Sequence, residues 1–169
     1  MKRSPRIRKN KAAIATCLYL VAILGATAVN QKARVASKAR RPISVRTTAY
    51  THSEADHLVY GRKTAIGTTL QTGRVNSAAA DWSFMPVGTK FRIVGDKTLY
   101  EVDDYGSALV GTETVDIYRP SRSSMNAWGV RQVDIRIVKR GSIEKSIEVL
   151  KGRTGYRHCR EMLERLRST

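Results

Sequence analysis

Short runs in which apolar and polar residues alternate fill the middle of the chain. Five of them read as β-strands: ISVRTTAYT (43–51), TKFRIV (89–94), KTLYEVD (97–103), TVDIY (114–118) and VDIRIVK (133–139). In the second run Phe91 and Ile93 fall on one face and Lys90 and Arg92 on the other, which is the two-residue period of a strand. Gly95-Asp96 separates the second run from the third, so this pair predicts a hairpin.

One helix is expected within the same region. Serine-rich start signals follow Pro120, the pattern continues to Ala127, and Gly129 supplies a stop. Closely spaced short strands with a single short helix indicate an all-β fold, and we expect a small closed barrel of roughly six strands. We assign this barrel to residues 43–140.

A different pattern follows the barrel, in residues 141–169. Glutamate and lysine mix with apolar residues, and Tyr156, Cys159, Leu163 and Leu166 recur at helical spacing. We predict a basic helical tail that packs its apolar stripe on the barrel or on a partner. Cys159 is expected to be an apolar contact on that stripe.

The N-terminal residues predict a segment that enters a membrane. Residues 1–11 are strongly basic, residues 12–29 carry no charge, and the apolar run ends in Ala26-Thr27-Ala28, an A-x-A cleavage pattern. Eighteen helical residues reach about 27 Å, so both a cleaved signal peptide and an uncleaved anchor in the cytoplasmic membrane fit residues 1–29. Either places the barrel in the cell envelope, in a periplasmic or other extracytoplasmic location, with residues 30–42 as a basic linker.

The positive charge is concentrated in this leader. The formal net charge is +17, and residues 1–42 hold 11 Lys and Arg with no Asp or Glu. A nucleic-acid reader would carry its basic residues on the folded domain, so no nucleic-acid partner is expected.

Three aspartates stand at structurally distinctive positions in the barrel region. Asp81 follows the small-residue strand SAAA, Asp104 precedes Tyr105-Gly106-Ser107, and Asp116 lies within the apolar run of the fourth predicted strand. The pattern by itself leaves two interpretations open. The aspartates are either solvated residues on an exposed sheet face or the acids of a site.

An ordered set of motifs favours the second interpretation, in which the aspartates belong to a site. These are TTAYT (47–51), GRKTAIG (61–67), Asp81, MPVGTKFRI (85–93), EVDDYGSALVG (101–111), VDIY (115–118) and WGVRQVDI (128–135). In this order they resemble the three-aspartate (3D) domain, a double-psi β-barrel. The family includes the barrel of membrane-bound lytic transglycosylase A and the stationary-phase survival lytic transglycosylases, and RlpA-like barrels are more distant relatives.

The resemblance implies a peptidoglycan lytic transglycosylase that cleaves the β-1,4 bond between N-acetylmuramic acid and N-acetylglucosamine and leaves 1,6-anhydro ends. Asp116 matches the family's principal acid, and Asp104 and Asp81 match the other two aspartates. We expect substrate contacts from Tyr50, Trp128 and Gly106, although core packing explains the two aromatic residues equally well. The alternative is a non-catalytic barrel that binds peptidoglycan.

The sequence departs from the family pattern beside two of these aspartates. Trp82 follows Asp81 where the family has proline, and Asp104-Tyr105-Gly106-Ser107 stands in place of Asp-Thr-Gly-Gly. No cofactor or metal is expected. The polar loop HSEADH (52–57) matches no standard zinc-ligand spacing.

Overall fold

Six strands close into a barrel in the computed structural model of this protein, which describes residues 41–55 and 58–168. They are β1 (Ile43–Tyr50), β2 (Val75–Ala80), β3 (Lys90–Ile93), β4 (Leu99–Asp104), β5 (Thr114–Tyr118) and β6 (Arg131–Lys139). The predicted closed barrel is therefore confirmed. The predictions for the leader and for nearly all of the basic linker fall on residues 1–40, outside the described residues.

The order of strands around the barrel is β1-β5-β2-β4-β3-β6. β1 pairs in parallel with β5, and β2 pairs in parallel with β4; the other four pairings are antiparallel. β3 and β4 form the predicted hairpin, in which Gly95 adopts a positive φ of 88°. Only glycine reaches that conformation without steric cost, which explains the turn at this position.

The main core lies on one face of the strands. Val115 and Ile117 of β5 are fully buried there, as is Phe91 of β3, whose ring stacks on Tyr100 at 5.3 Å. A second, smaller cluster contains Ala79 of β2 and covers part of the opposite face of β2 and β5; its members are Tyr50, Leu70, Ala79, Leu109 and Tyr118. The face that carries Asp116 is thus partly covered and partly open.

Three α-helices complete the described chain: α1 (Arg122–Trp128), α2 (Ile143–Lys151) and α3 (Arg157–Arg167). The helix predicted after Pro120 is α1, which starts with a capping box between Ser121 and Ser124 and ends at Gly129. A 3-10 turn (Ser107–Leu109) follows β4.

The predicted helical tail is present as two helices, α2 and α3. α3 buries an apolar stripe in the main core, formed by Cys159, Met162, Leu163 and Leu166. The tail therefore shares the core of the barrel and covers one side of it. Within residues 41–55 and 58–168, no helix is both long and apolar enough to cross a membrane.

Candidate functional site

Two of the predicted aspartates emerge from neighbouring strands on one sheet face. Ala79 of β2 is in register with Asp116 of β5 on one side and with Asp104 of β4 on the other. Adjacent strands lie about 4.8 Å apart, so the Cα atoms of Asp104 and Asp116 are separated by about 10 Å. Tyr50 confirms the shared face: it pairs with Tyr118, two residues after Asp116, and its hydroxyl reaches the carboxylate of Asp104.

A β-bulge adds a third carboxyl group to this face. Ala78 pairs with Val102, but Ala79 pairs with Asp104, so β4 contains one extra residue, Asp103, at this point. The Ser77 hydroxyl donates a 2.6 Å hydrogen bond to Asp103 Oδ2, and Ser77 lies on the same face as Ala79. The bulge therefore presents two consecutive aspartates toward the face that carries Asp116.

Asp103 has the most perturbed acid–base behaviour of these groups. Its side chain is buried (the residue is 9% exposed), and burial raises the pKa of this carboxyl to about 7. The Ser77 hydrogen bond lowers that pKa, while the negative charges of Asp104 and Glu101 raise it. Sequence reasoning did not single out Asp103; the doubled Asp-Asp at the end of a strand was its only signal.

Asp104 is held by three donors. Oδ1 accepts the N–H groups of Ala65 (3.0 Å) and Tyr105 (2.9 Å), and Oδ2 accepts the Tyr50 hydroxyl (3.3 Å). Burial, and then the charge of Asp104, raise the pKa of Tyr50 well above its ordinary value, so the phenol remains protonated and donates. These contacts fix the direction of the Asp104 carboxylate.

Asp116 is half-buried between two buried neighbours in β5. Its Oδ1 accepts a 2.7 Å hydrogen bond from the Thr48 hydroxyl of the adjacent strand β1. Because Thr48 and Asp116 are register partners, this bond orients the carboxyl group along the same face as Asp104.

Asp81 has a different environment. It is 1% exposed, and its Oδ1 accepts the N–H (2.8 Å) and hydroxyl (2.6 Å) of Ser83. Its Oδ2 accepts the N–H of Gly111 (2.7 Å) and the guanidinium of Arg165 (3.2 Å). Four donors thus converge on this carboxylate, which ties the end of β2 to the loop after β4 and to α3.

A cavity of about 400 Å³ opens beside Asp104. Its lining residues, all described, are Tyr60, Lys63, Thr64, Ala65, Asp104, Tyr105, Gly106, Ser107, Arg153, Tyr156 and His158. Among these described residues are the predicted Asp104 and Gly106, but not Asp81 or Asp116. We call this space the Asp104 cavity; three of its residues come from the helical tail.

The two predicted aromatic contacts lie elsewhere. The Tyr50 ring is 8% exposed and packs edge-on against Tyr118, so Tyr50 reaches the site only through its hydroxyl. The guanidinium groups of Arg119 and Arg131 lie over the Trp128 ring, 4.5 and 4.2 Å from its centroid. Neither aromatic residue lines the Asp104 cavity as the structure describes it.

Metal ligands form no cluster in the part of the chain that the structure describes: three or more His, Cys, Asp or Glu groups are nowhere arranged to hold an ion there. Asp56 and His57 of the polar loop lie outside the described residues. His52 of the same loop has its Nδ1 2.9 Å from the Tyr118 hydroxyl.

Residues 76–139 match the 3D domain family. The matched segment runs from β2 to the end of β6 and includes all four aspartates discussed above. Together with the closed six-strand barrel, this match is consistent with a 3D domain of the double-psi barrel type. 3D domains are associated with peptidoglycan-binding or lytic transglycosylase-like barrels. None of the curated proteins matches this chain.

Proposed function

We propose that this protein is a peptidoglycan lytic transglycosylase that cleaves the bond between N-acetylmuramic acid and N-acetylglucosamine. One observation carries the proposal. The register of β5, β2 and β4 gathers Asp116, Asp104 and Asp103 on one face, and Asp104 borders a cavity large enough for a sugar. A carboxyl group with other carboxyl groups nearby, next to a cavity of this size, is suited to protonating a glycosidic oxygen.

In the proposed reaction Asp116 is the acid and then the base. Its protonated carboxyl group gives a proton to the glycosidic oxygen as the bond from that oxygen to the muramyl C1 breaks. The muramyl C6 hydroxyl attacks C1, and its proton returns to Asp116, so no water is consumed and the 1,6-anhydro ring closes. The Thr48 hydroxyl orients Asp116. The negative charge of Asp104 stabilises the positive charge that develops at C1.

A second candidate function is a non-catalytic barrel that binds peptidoglycan. The environment of Asp81 favours it, because four donors occupy this carboxylate and its residue is 1% exposed. One member of the aspartate trio thus has an evident structural role. In this alternative the remaining carboxyl groups would hold sugar hydroxyls without transferring a proton.

We also propose that the barrel acts outside the cytoplasmic membrane, where peptidoglycan lies. The basic and apolar leader supports this location, either as a signal peptide or as a membrane anchor.

The substitution Asp116→Asn distinguishes a lytic transglycosylase from a barrel that only binds peptidoglycan. The full-length protein is incubated with purified sacculi, and anhydro-ended muropeptides are quantified by mass spectrometry. General acid–base catalysis typically contributes about 10²- to 10⁴-fold, so the variant should release products more slowly by that factor while sedimenting with sacculi as wild type does. Asp134→Asn is the matched control, because Asp134 is an exposed strand aspartate on β6. A wild-type protein that sediments with sacculi but yields no anhydro product between pH 5 and 8 would refute the enzyme proposal.

A further inference from the structure

The wall of the Asp104 cavity opposite the barrel is built by the helical tail, beyond the segment that matches the 3D domain. Arg153 and Tyr156 lie between α2 and α3, and His158 lies in the first turn of α3. We propose that this wall is a subsite that binds a carboxylate group of the glycan substrate, with Arg153 as its principal ligand. The inference rests on the proposed glycan substrate and names the feature of that substrate that the tail recognises.

Arg153 is held in position before any ligand binds. It donates from Nη1 to the Tyr105 hydroxyl (2.9 Å) and from Nη2 to the backbone oxygen of Ala65 (2.6 Å). The Cys159 thiol also donates to the Tyr105 hydroxyl (3.4 Å), which anchors the same contact to α3. A half-buried guanidinium fixed in this way loses little conformational freedom when it binds an anion.

The guanidinium retains capacity for a ligand. It has five N–H donors, and the two hydrogen bonds above use two of them. In the described part of the chain, no carboxylate lies within 4 Å of Arg153. A planar guanidinium with remaining donors suits a carboxylate, which accepts two parallel hydrogen bonds.

The other charges of the cavity also favour an anion. Lys63 contributes a second cation, and Asp104, the one carboxylate among the described lining residues, already accepts three hydrogen bonds. Burial lowers the pKa of His158 and the charge of Glu161 partly offsets this, so the imidazole is largely neutral at pH 7. Two cations and one carboxylate leave the cavity with a surplus positive charge.

Aromatic rings complete the wall and indicate what carries the anion. Tyr60, Tyr105 and Tyr156 line the cavity, and Tyr156 is 56% exposed, so its ring is accessible. Aromatic faces beside polar groups suit sugar rings. A sugar that bears a carboxylate meets both features. In peptidoglycan the carboxylate belongs either to the lactyl group of a peptide-free muramyl residue or to the stem peptide.

The inference is tested by equilibrium binding of the full-length protein to three probes. These are a neutral chito-oligosaccharide, peptide-free glycan strands, and glycan strands that carry stem peptides. Wild type should bind at least one charged probe about tenfold more tightly than the neutral one, since a charge-assisted hydrogen bond contributes on that scale. The charged probe that binds more tightly identifies the source of the carboxylate.

Arg153→Gln and Lys63→Gln should each reduce that preference, and Lys151→Gln should leave it unchanged. Lys151 is an exposed cation at the end of α2 in the same tail, and it does not line the cavity. Arg153→Gln also removes two hydrogen bonds and could disturb folding. Lys63→Gln tests the same charge preference without that risk, because Lys63 is exposed on the other wall of the cavity. Equal binding of all three probes by wild type, or a preference that survives both variants, would overturn the inference.

The release of anhydro products from sacculi is measured on the same proteins. If wild type releases anhydro products but shows no preference for charged probes, the carboxylate subsite is refuted and the proposed reaction stands. If wild type prefers charged probes but releases no anhydro product, the proposed reaction is refuted and the carboxylate subsite stands.

Discussion

Replacing Asp103 by Asn should change how the stability of the barrel depends on pH. Burial is the main reason that the pKa of this carboxyl rises from 3.8 to about 7. A carboxyl group with a raised pKa binds its proton more tightly in the folded chain than in the unfolded chain. The free energy of unfolding therefore falls as pH rises through the interval between these two values, and it is insensitive to this group outside the interval.

The size of the effect follows from the two pKa values. Each pKa unit corresponds to about 1.4 kcal/mol, so ionisation of Asp103 in the fold costs on the order of 4 kcal/mol at pH 8. Part of this cost is already present at pH 5, above the ordinary value of 3.8. Between pH 5 and pH 8, this group alone should lower the free energy of unfolding by about 2 to 3 kcal/mol. Asn is neutral throughout and can still accept the Ser77 hydroxyl.

The assay is urea unfolding of the full-length protein at pH 5 and pH 8. Tryptophan fluorescence reports the transition because Trp82 is fully buried. Relative to wild type, Asp103→Asn should gain about 2 to 3 kcal/mol between the two pH values, and the exposed control Asp134→Asn should gain nothing measurable. If Asp103→Asn instead shifts stability equally at both pH values, Asp103 does not titrate in this range and the reasoning from burial fails.

Two further predictions concern the tail and the leader. Asp81→Ala should lower the free energy of unfolding by about 2 to 3 kcal/mol, because it removes a buried carboxylate that accepts four hydrogen bonds. Arg165→Met should cost less, since Arg165 is half-exposed. Urea unfolding measures both losses, and equal losses would contradict this ranking. A reporter that is active only outside the cytoplasm should be active when fused after residue 42 and inactive when fused after Lys11, whereas a cytoplasmic reporter that is active after residue 140 would exclude export.

The strands and helices were predictable where the sequence obeys a simple period. β5 has the bounds that alternation gave, because Val115 and Ile117 are both needed in the core. α1 begins where serine supplies a cap and ends at Gly129. In these segments burial on one face and local backbone preference point to the same structure.

The arrangement of acids around β4 could not be predicted in this way. Strict alternation from Tyr100 and Val102 would turn Asp104 toward the core and Asp103 away from it. The bulge interrupts the alternation, so both aspartates oppose Ala79. A bulge depends on the register between two strands about 25 residues apart, and the sequence of either strand alone does not determine that register.

The two departures from the family pattern turn out to be in contact, and together they make the tail part of the site. Trp82, which replaces proline, donates its indole N–H to the backbone oxygen of Asp104 (2.9 Å), and its ring packs edge-on against Tyr105 at 5.0 Å. Tyr105, which replaces threonine, accepts hydrogen bonds from Arg153 and Cys159 of the tail. Trp82 and Tyr105, the residues that depart from the family pattern next to Asp81 and Asp104, therefore form the surface on which the C-terminal tail packs. The same contacts fix the Arg153 guanidinium at the Asp104 cavity, so the tail builds part of the cavity wall together with the barrel.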